Sequence, residues 1–209
     1  MNFERLDQLA QKYLLRRKSH VEREIGAAYF HGERTAKGVL LLREQVTSDA
    51  SHDDELRAAA MFHDIGKGIE PHAHTGAVLA RDLLASELTP QELETVCALI
   101  AAHPHRCPET DEHSLWEKLL QDADLLDHYG IQGIWLGFSY LAYTDQKDML
   151  QCLRFYLEEW PAQVEKHRKL LNFPQAQAIF DEKVAFERSI VERMKIEGAG
   201  GYMKRGADQ

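Results

Sequence analysis

Cysteine is scarce in this sequence, and the few present are not arranged for cross-linking. Cys97, Cys107 and Cys152 are an odd number, and they form no Cys-x-x-Cys pair. Disulfide frameworks and zinc-thiolate sites need paired cysteines, so neither kind of site is expected.

Long apolar runs are also missing. Runs such as Val39 to Leu42 are far shorter than the roughly 18 residues that a membrane-spanning helix requires. The first five residues, MNFER, lack the apolar segment of a secretory signal peptide. We therefore expect a cytoplasmic protein with no membrane partner.

Positive charge is in deficit. The chain has 25 lysines and arginines against 34 aspartates and glutamates, which gives a formal net charge of −9 with histidine neutral. Such a surface repels nucleic acid and anionic membranes at long range. The composition therefore argues against a nucleic-acid partner and leaves room for a local basic pocket that holds a small phosphate ester.

Strand-forming patterns are absent as well. β-branched residues are sparse, and apolar residues recur with a period of about 3.6, which is typical of helices. A length of 209 residues suits one domain. We predict an all-α, single-domain helical bundle over residues 1–197, followed by a glycine-rich, flexible tail over 198–209.

Local signals mark the helix boundaries. The predicted features, in chain order, are helices over 2–17 and 20–46, a helix from Ser51 or Asp53 to Gly66, capping boxes at Thr89 and Ser114, a helix over 148–160 stopped by Pro161, and a last long helix opened by Asn172 and Pro174.

Histidine, by contrast, is abundant: the chain has eleven. The most informative is His63, which is followed by Asp64 where a helix should end and which shares a helix face with Leu56, Ala59 and Ala60. A lone inward histidine is more often a core residue than a ligand. A carboxylate beside it is costly to bury unless a cation or a donor neutralises it, so the pair is a candidate for metal binding.

Three elements of the sequence together resemble the HD superfamily of metal-dependent phosphohydrolases. They are His31, the segment His63-Asp64-Ile65-Gly66-Lys67, and an aspartate within the segment from Asp122 to Asp127. The resemblance spans about residues 25–130 and leaves 131–197 as a helical C-terminal extension. It implies an HD-type bundle in which His31, His63, Asp64 and one further aspartate hold a divalent metal.

Helical spacing favours Asp124 as that aspartate. Asp124 lies one and two turns from Leu120 and Trp116, whereas Asp122 lies one turn from Lys118 on a polar stripe. Asp122 is then expected to be solvated or to orient a ligating histidine. Asp127 and His128 are expected to be surface residues.

The resemblance also leaves a second metal open. Some branches of the superfamily add two histidines, which match His72 and His103, with Asp64 bridging the two ions. The alternative is that His72 and His103 bind substrate phosphate at the pocket mouth, and His74 and His105 compete for the same assignments. His and carboxylate ligands suit Mn, Fe, Co, Ni and Zn, and Mg less well.

The expected chemistry is hydrolysis of a phosphomonoester or phosphoanhydride by metal-activated water, with Asp64 and Lys67 as catalytic residues. Lys67 and Arg34, each one turn after a ligating histidine, are placed to bind phosphate. The small stand-alone members of the superfamily imply a nucleotide-like substrate. The alternatives are a non-hydrolytic metal- or nucleotide-binding regulatory protein and a di-iron oxygenase.

Residues 131–197 carry no readable motif. The glycine-spaced segment 130–138 lacks the lysine of a phosphate loop, so we expect close helix packing there. An aromatic series follows that favours a core or homodimer contact over stacking on a nucleobase. Its members are Phe138, Tyr140, Tyr143, Phe155, Tyr156 and Trp160.

Overall fold

The computed structural model describes residues 1–19, 23–110 and 112–202. Within these residues the chain forms ten α-helices and no strand, which confirms the all-α prediction. Residues 20–22, where the second helix was expected to begin, and residues 203–209 of the expected tail lie outside the described part. None of the described helices is long and apolar enough to cross a membrane.

The helices follow one another with short connections. In chain order they are α1 (Phe3–Ala10), continued by a π-helical turn (Gln11–Leu15), α2 (Ala27–Val46), α3 (Asp53–Phe62), α4 (His72–Leu84), α5 (Pro90–Ala102), α6 (Leu115–Asp127), α7 (Ile131–Thr144), α8 (Met149–Glu158), α9 (Trp160–Lys169) and α10 (Pro174–Gly198).

The start of α2 differs from the prediction. Residues 23–26 are not helical, and α2 begins only after Gly26, whose φ is +81°. A Cβ at this position would lie 2.7 Å from the carbonyl oxygen of Leu15, so the backbone turns tightly against the end of the first helical segment. Glycine fits this left-handed, crowded position, and the helix starts there.

Local capping chemistry fixes several other helix starts. Thr89 and Ser114 form complete capping boxes, as predicted, and Asp148 forms a third. The prediction that Pro161 ends a helix is wrong, because this proline helps to begin one. Helix α8 already ends at Glu158, and Pro161 lies in the first turn of α9, where its missing N–H is not needed.

The helices that carry the motif residues pack around one hydrophobic core. Helix α2 packs against α3 and α6, and α5 packs against α3 and α4. The largest fully buried side chains include Phe62, Leu56, Leu119 and Leu120 from these helices and Phe180 from α10. The termini of α2, α3, α5 and α6 are thereby brought to one region.

The expectation that Asp122 is solvated or orients a ligating histidine is wrong. Asp122 is fully buried rather than solvated, and its carboxylate accepts hydrogen bonds from the backbone N–H groups of Asn172 and Phe173 and from the side-chain amide of Asn172. The loop before α10 covers this face of α6. A helix-periodicity argument made on α6 alone does not include that covering loop.

Helix α7 approaches its neighbours through glycines, as the 130–138 segment predicted. A Cβ on Gly137 would lie 2.1 Å from the hydroxyl oxygen of Tyr156, and a Cβ on Gly133 would lie 2.9 Å from Oε1 of Glu187. Only a residue without a side chain permits these distances. Helix α7 therefore lies directly on α8 and α10.

Candidate metal centre and cavity

A first group of potential ligands joins three helices. His31 lies on α2, His63 directly follows α3, and Asp124 lies on α6. Nε2 of His31 is 3.0 Å from Oδ1 of Asp124 and 3.1 Å from Nε2 of His63. Gly32 makes the approach of α2 to α3 possible, because a Cβ there would lie 2.5 Å from the carbonyl oxygen of Met61.

A second group adjoins the first. Nε2 of His72, at the start of α4, lies 3.3 Å from Nε2 of His103, at the end of α5. Oδ1 of Asp64 lies 3.9 Å from Nε2 of both His63 and His72, and 4.0 Å from that of His103. Asp64 therefore stands between the two groups.

Hydrogen bonds on the far side of each ring set the histidine tautomers. Nδ1 of His63 donates to the carbonyl oxygen of Ala60, and Nδ1 of His103 donates to that of Ile100. Carboxylates occupy the same place for the other two rings: Asp127 for His31 and Glu70 for His72. A carbonyl or ionised carboxylate can only accept, so each Nδ1 carries a hydrogen and each Nε2 is left to act as a ligand.

Opposed Nε2 atoms at 3.1 and 3.3 Å require a positive charge between them, because two lone pairs otherwise repel. Two nitrogens bound to one ion at about 2.1 Å would lie about 3.0 to 3.4 Å apart at the usual coordination angles. Oδ1 of Asp64 is buried and has no hydrogen-bond partner among the described residues. The donor set and its spacing therefore fit a divalent metal, with room for a second.

The pKa shifts of Asp64 and His31 show how the charges in the buried site act on one another. Burial acts to raise the pKa of Asp64, but His63, Lys67 and His31 hold it well below its ordinary value. Burial acts to lower the pKa of His31, but its hydrogen bonds to Asp124 and Asp127 raise it to about 9. The carboxylates around His31 thus favour added positive charge at its Nε2 atom.

The pKa of His103 shifts in the opposite direction to that of His31. Burial and the charge of neighbouring His63 lower its pKa to about 3. Its ring therefore stays neutral in ordinary buffers, which is the form that binds a metal. Neither His74 nor His105, the competing candidates, belongs to a ligand group, and both are exposed.

The two predicted phosphate-binding cations are placed differently. Nζ of Lys67 lies 3.5 Å from Oδ1 of Asp64, and Lys67 lines the cavity above the ligands. Arg34 instead donates two hydrogen bonds at 2.8 Å to the carboxylate of Asp127, which in turn accepts from His31. The structure therefore places Arg34 behind His31 and outside the residues that line the cavity.

Three residues join the site that the sequence interpretation did not assign to it. Arg106 donates from Nη2 to Oδ2 of Asp124 and lines the cavity. Asp127 orients His31, and Nε2 of His128 lies 3.4 Å from Oδ1 of Asp124, so neither is a plain surface residue. Helical spacing offered a signal only for His128, which is one turn after Asp124.

The potential ligands open into a cavity of about 620 Å³. One part of its wall is formed by His31, Asp64, His72, His103 and Asp124 together with Arg23, Lys67 and Arg106. A second part comes from the C-terminal extension and is largely apolar and aromatic, with Leu136, Tyr140, Leu141, Phe155, Tyr156 and Trp160. The cavity therefore combines a charged part and a part suited to a flat, apolar group.

Known proteins resemble this chain in sequence pattern and in fold. The HD-domain family model matches residues 28–129. No curated protein matches the chain significantly. A predicted HD-superfamily hydrolase from an uncultured Thermotogales bacterium superposes with a TM-score of 0.60 at 19% identity, covering 93% of this chain and 92% of its own.

Two Bacillus structures are similar to the chain over nearly its whole length. An HD-superfamily hydrolase from Bacillus thuringiensis gives a TM-score of 0.65 at 21% identity, covering 95% of this chain and 99% of its own. Bacillus subtilis YpgQ in complex with ADP gives 0.64 at 15% identity, covering 92% and 97%. At such identities these likenesses concern the fold, including the helices beyond residue 130.

Proposed function

We propose that this chain, whose residues 28–129 match the HD-domain family model, is a metal-dependent phosphohydrolase that cleaves a phosphomonoester or phosphoanhydride bond of a small nucleotide. The opposed Nε2 atoms of His31 and His63 carry this proposal, together with the neighbouring Oδ1 of Asp64, which accepts no hydrogen bond from the described residues. The match to the HD-domain family and the His and Asp groups that could hold a metal ion support a metal-dependent hydrolase. That its substrate is a phosphate compound is part of the proposal.

The proposed metal ligands are His31, His63, Asp64 and Asp124, with His72 and His103 completing a second position around Asp64. A divalent ion bound there would lower the pKa of an attacking water and would neutralise charge on the phosphoryl oxygens. The carbonyl and carboxylate partners of the four histidines hold the rings in place for that ion.

The cations of the cavity bind the phosphate. Lys67 lies beside Asp64 and carries N–H donors that can pair with a phosphoryl oxygen or protonate the departing oxygen. Arg106 is fixed by Asp124 and by the carbonyl oxygen of Gln121, so its guanidinium is oriented before the substrate arrives. Both residues place positive charge where the protein surface as a whole is negative.

The apolar part of the cavity supports a nucleotide over inorganic phosphate. Tyr140, Phe155 and Trp160 supply flat faces of the kind on which a base stacks. The structural neighbour YpgQ is in complex with ADP, which is in line with a nucleotide ligand for this fold.

The test is turnover by metal-stripped protein resupplied with Mn²⁺. Phosphate and pyrophosphate release would be measured over nucleoside mono-, di- and triphosphates, with Asp64→Ala as the inactive variant and Asp82→Ala, an exposed carboxylate on α4, as the matched control. We expect metal-dependent release that Asp64→Ala abolishes and Asp82→Ala retains. A metal-loaded wild-type protein that hydrolyses none of these compounds would overturn the proposal.

A further inference from the structure

His128 is a histidine beside the proposed metal centre to which no role has been given above. It is the C-cap residue of α6, one turn after Asp124, so the two side chains leave the helix on the same side. Nε2 of His128 lies 3.4 Å from Oδ1 of Asp124. The ring meets that of His31 edge to face, with the two centroids 4.9 Å apart. His128 therefore adjoins two of the proposed ligands at once.

Three imidazole nitrogens surround one carboxylate oxygen. Oδ1 of Asp124 lies 3.0 Å from Nε2 of His31, 3.5 Å from Nε2 of His63 and 3.4 Å from Nε2 of His128. The other carboxylate oxygen accepts from Arg106. Because His31 and His63 carry their hydrogens on Nδ1, their Nε2 atoms have lone pairs and cannot donate to Oδ1. A cation bound among these atoms would relieve the repulsion between their lone pairs.

The spacing of His128 suits a metal ligand better than a hydrogen-bond donor. An N–H···O bond usually measures about 2.7 to 3.2 Å, so the distance of 3.4 Å to Asp124 is long for one. Two atoms held about 2.1 Å from one ion lie about 3.0 to 3.4 Å apart at the usual coordination angles. One ligand atom from each of His31, Asp124 and His128 lies within 4.8 Å of the other two. One ion can therefore bridge all three.

His128 is also the accessible histidine of this group. Its side chain is 39% exposed and lines the cavity, whereas the side chains of His31 and His63 are 6% and 1% exposed. An ion that enters through the cavity can therefore reach the His128 ring without any opening of the core. The two buried histidines and Asp124 form the inner side of the position, and His128 stands on its cavity side.

We propose that His128 is a further ligand of the ion that His31, His63, Asp64 and Asp124 are proposed to hold. Five protein donors exceed the three or four that zinc sites use, and they leave one place of an octahedral shell for water. The position then suits ions that take five or six ligands, such as Mn²⁺ and Co²⁺, better than a tetrahedral ion. This inference rests on the metal centre of the proposed function and adds a ligand to it.

The test measures metal binding by the wild type, His128→Ala and His167→Ala. His167 is the matched control, because it is a histidine that lines the same cavity and belongs to none of the ligand groups among the described residues. Equilibrium dialysis gives the affinity of each protein for Mn²⁺. The visible absorption of the Co²⁺-loaded proteins reports the number of ligands, since tetrahedral Co²⁺ absorbs far more strongly than five- or six-coordinate Co²⁺. Helical circular dichroism checks that both variants fold.

We expect His128→Ala to bind Mn²⁺ roughly tenfold or more weakly and to change the Co²⁺ spectrum, whereas His167→Ala should keep both wild-type values. An unchanged Mn²⁺ affinity in His128→Ala would overturn the inference. A weaker affinity with an unchanged Co²⁺ spectrum would also overturn it, since His128 would then only hydrogen-bond to Asp124. Neither readout needs turnover, so a wild type that binds metal but hydrolyses no nucleotide would overturn the proposed function alone. A wild type that binds no metal would overturn both.

Discussion

Nε2 of His31 and Nε2 of His63 lie 3.1 Å apart, while each ring donates its Nδ1–H away from the other, to Asp127 and to Ala60. Such a pair is stable only with a positive charge at its centre. The two residues are 32 positions apart in the chain and meet because Gly32 lets α2 touch the end of α3. Packing of the helices thus prepares the proposed metal position in advance.

Substitution of Asp124 by asparagine should mainly reduce activity, whereas substitution of Asp122 by asparagine should mainly reduce stability. Asp124→Asn replaces the negative carboxylate of a proposed metal ligand with a neutral amide and should lower kcat/KM by several orders of magnitude, far more than Asp122→Asn does. Asp122→Asn places an amide against the N–H groups of Asn172 and Phe173 and should lower the free energy of unfolding by about 1–3 kcal/mol. The reverse pattern would show that Asp122 is the ligand.

Arg34 should act through Asp127 and His31. Arg34→Gln frees the Asp127 carboxylate and weakens its hold on Nδ1 of His31, so we expect metal affinity to fall by up to roughly 10-fold, with KM at saturating metal unchanged. Lys67→Gln should instead raise KM or lower kcat without changing metal affinity to the same degree. A raised KM in Arg34→Gln at saturating metal would return Arg34 to the phosphate-binding role.

The number of bound metals should depend on His103. Equilibrium binding of Mn²⁺ should give two ions per wild-type chain and one per His103→Ala chain, because Asp64 and His72 alone hold the second position poorly. His105→Ala, two residues away and exposed, is the matched control and should keep two. One ion in all three proteins would assign His72 and His103 to substrate phosphate.

Glu187 should make stability depend on pH. Burial raises its folded pKa to about 7, above the ordinary glutamate value, so the folded state binds the proton more tightly than the unfolded state. Its favourable contribution is present at acid pH and is lost as pH rises from the ordinary value through about 7. Relative to the wild type, Glu187→Gln should therefore gain thermal stability between pH 5 and pH 8, whereas a constant difference would contradict the buried, raised pKa.

The sequence allowed good prediction where the signal is local. The capping boxes at Thr89 and Ser114 involve residues three positions apart, and the pairing of His63 with Asp64 needs only neighbours. Asp122 was misjudged because a loop 50 residues away covers it. Arg106 could not be found for the same reason: its place in the cavity depends on packing between distant helices.

Metal retention by Asp64→Ala tests the central claim most directly. Oδ1 of Asp64 lies near Nε2 of His63, His72 and His103, the proposed ligand atoms, so its removal should empty the proposed metal centre. After loading with Mn²⁺ and gel filtration, we predict stoichiometric metal in the wild type and in Asp82→Ala, and none in Asp64→Ala, with the same helical circular dichroism in all three. Full metal content in Asp64→Ala would contradict the account.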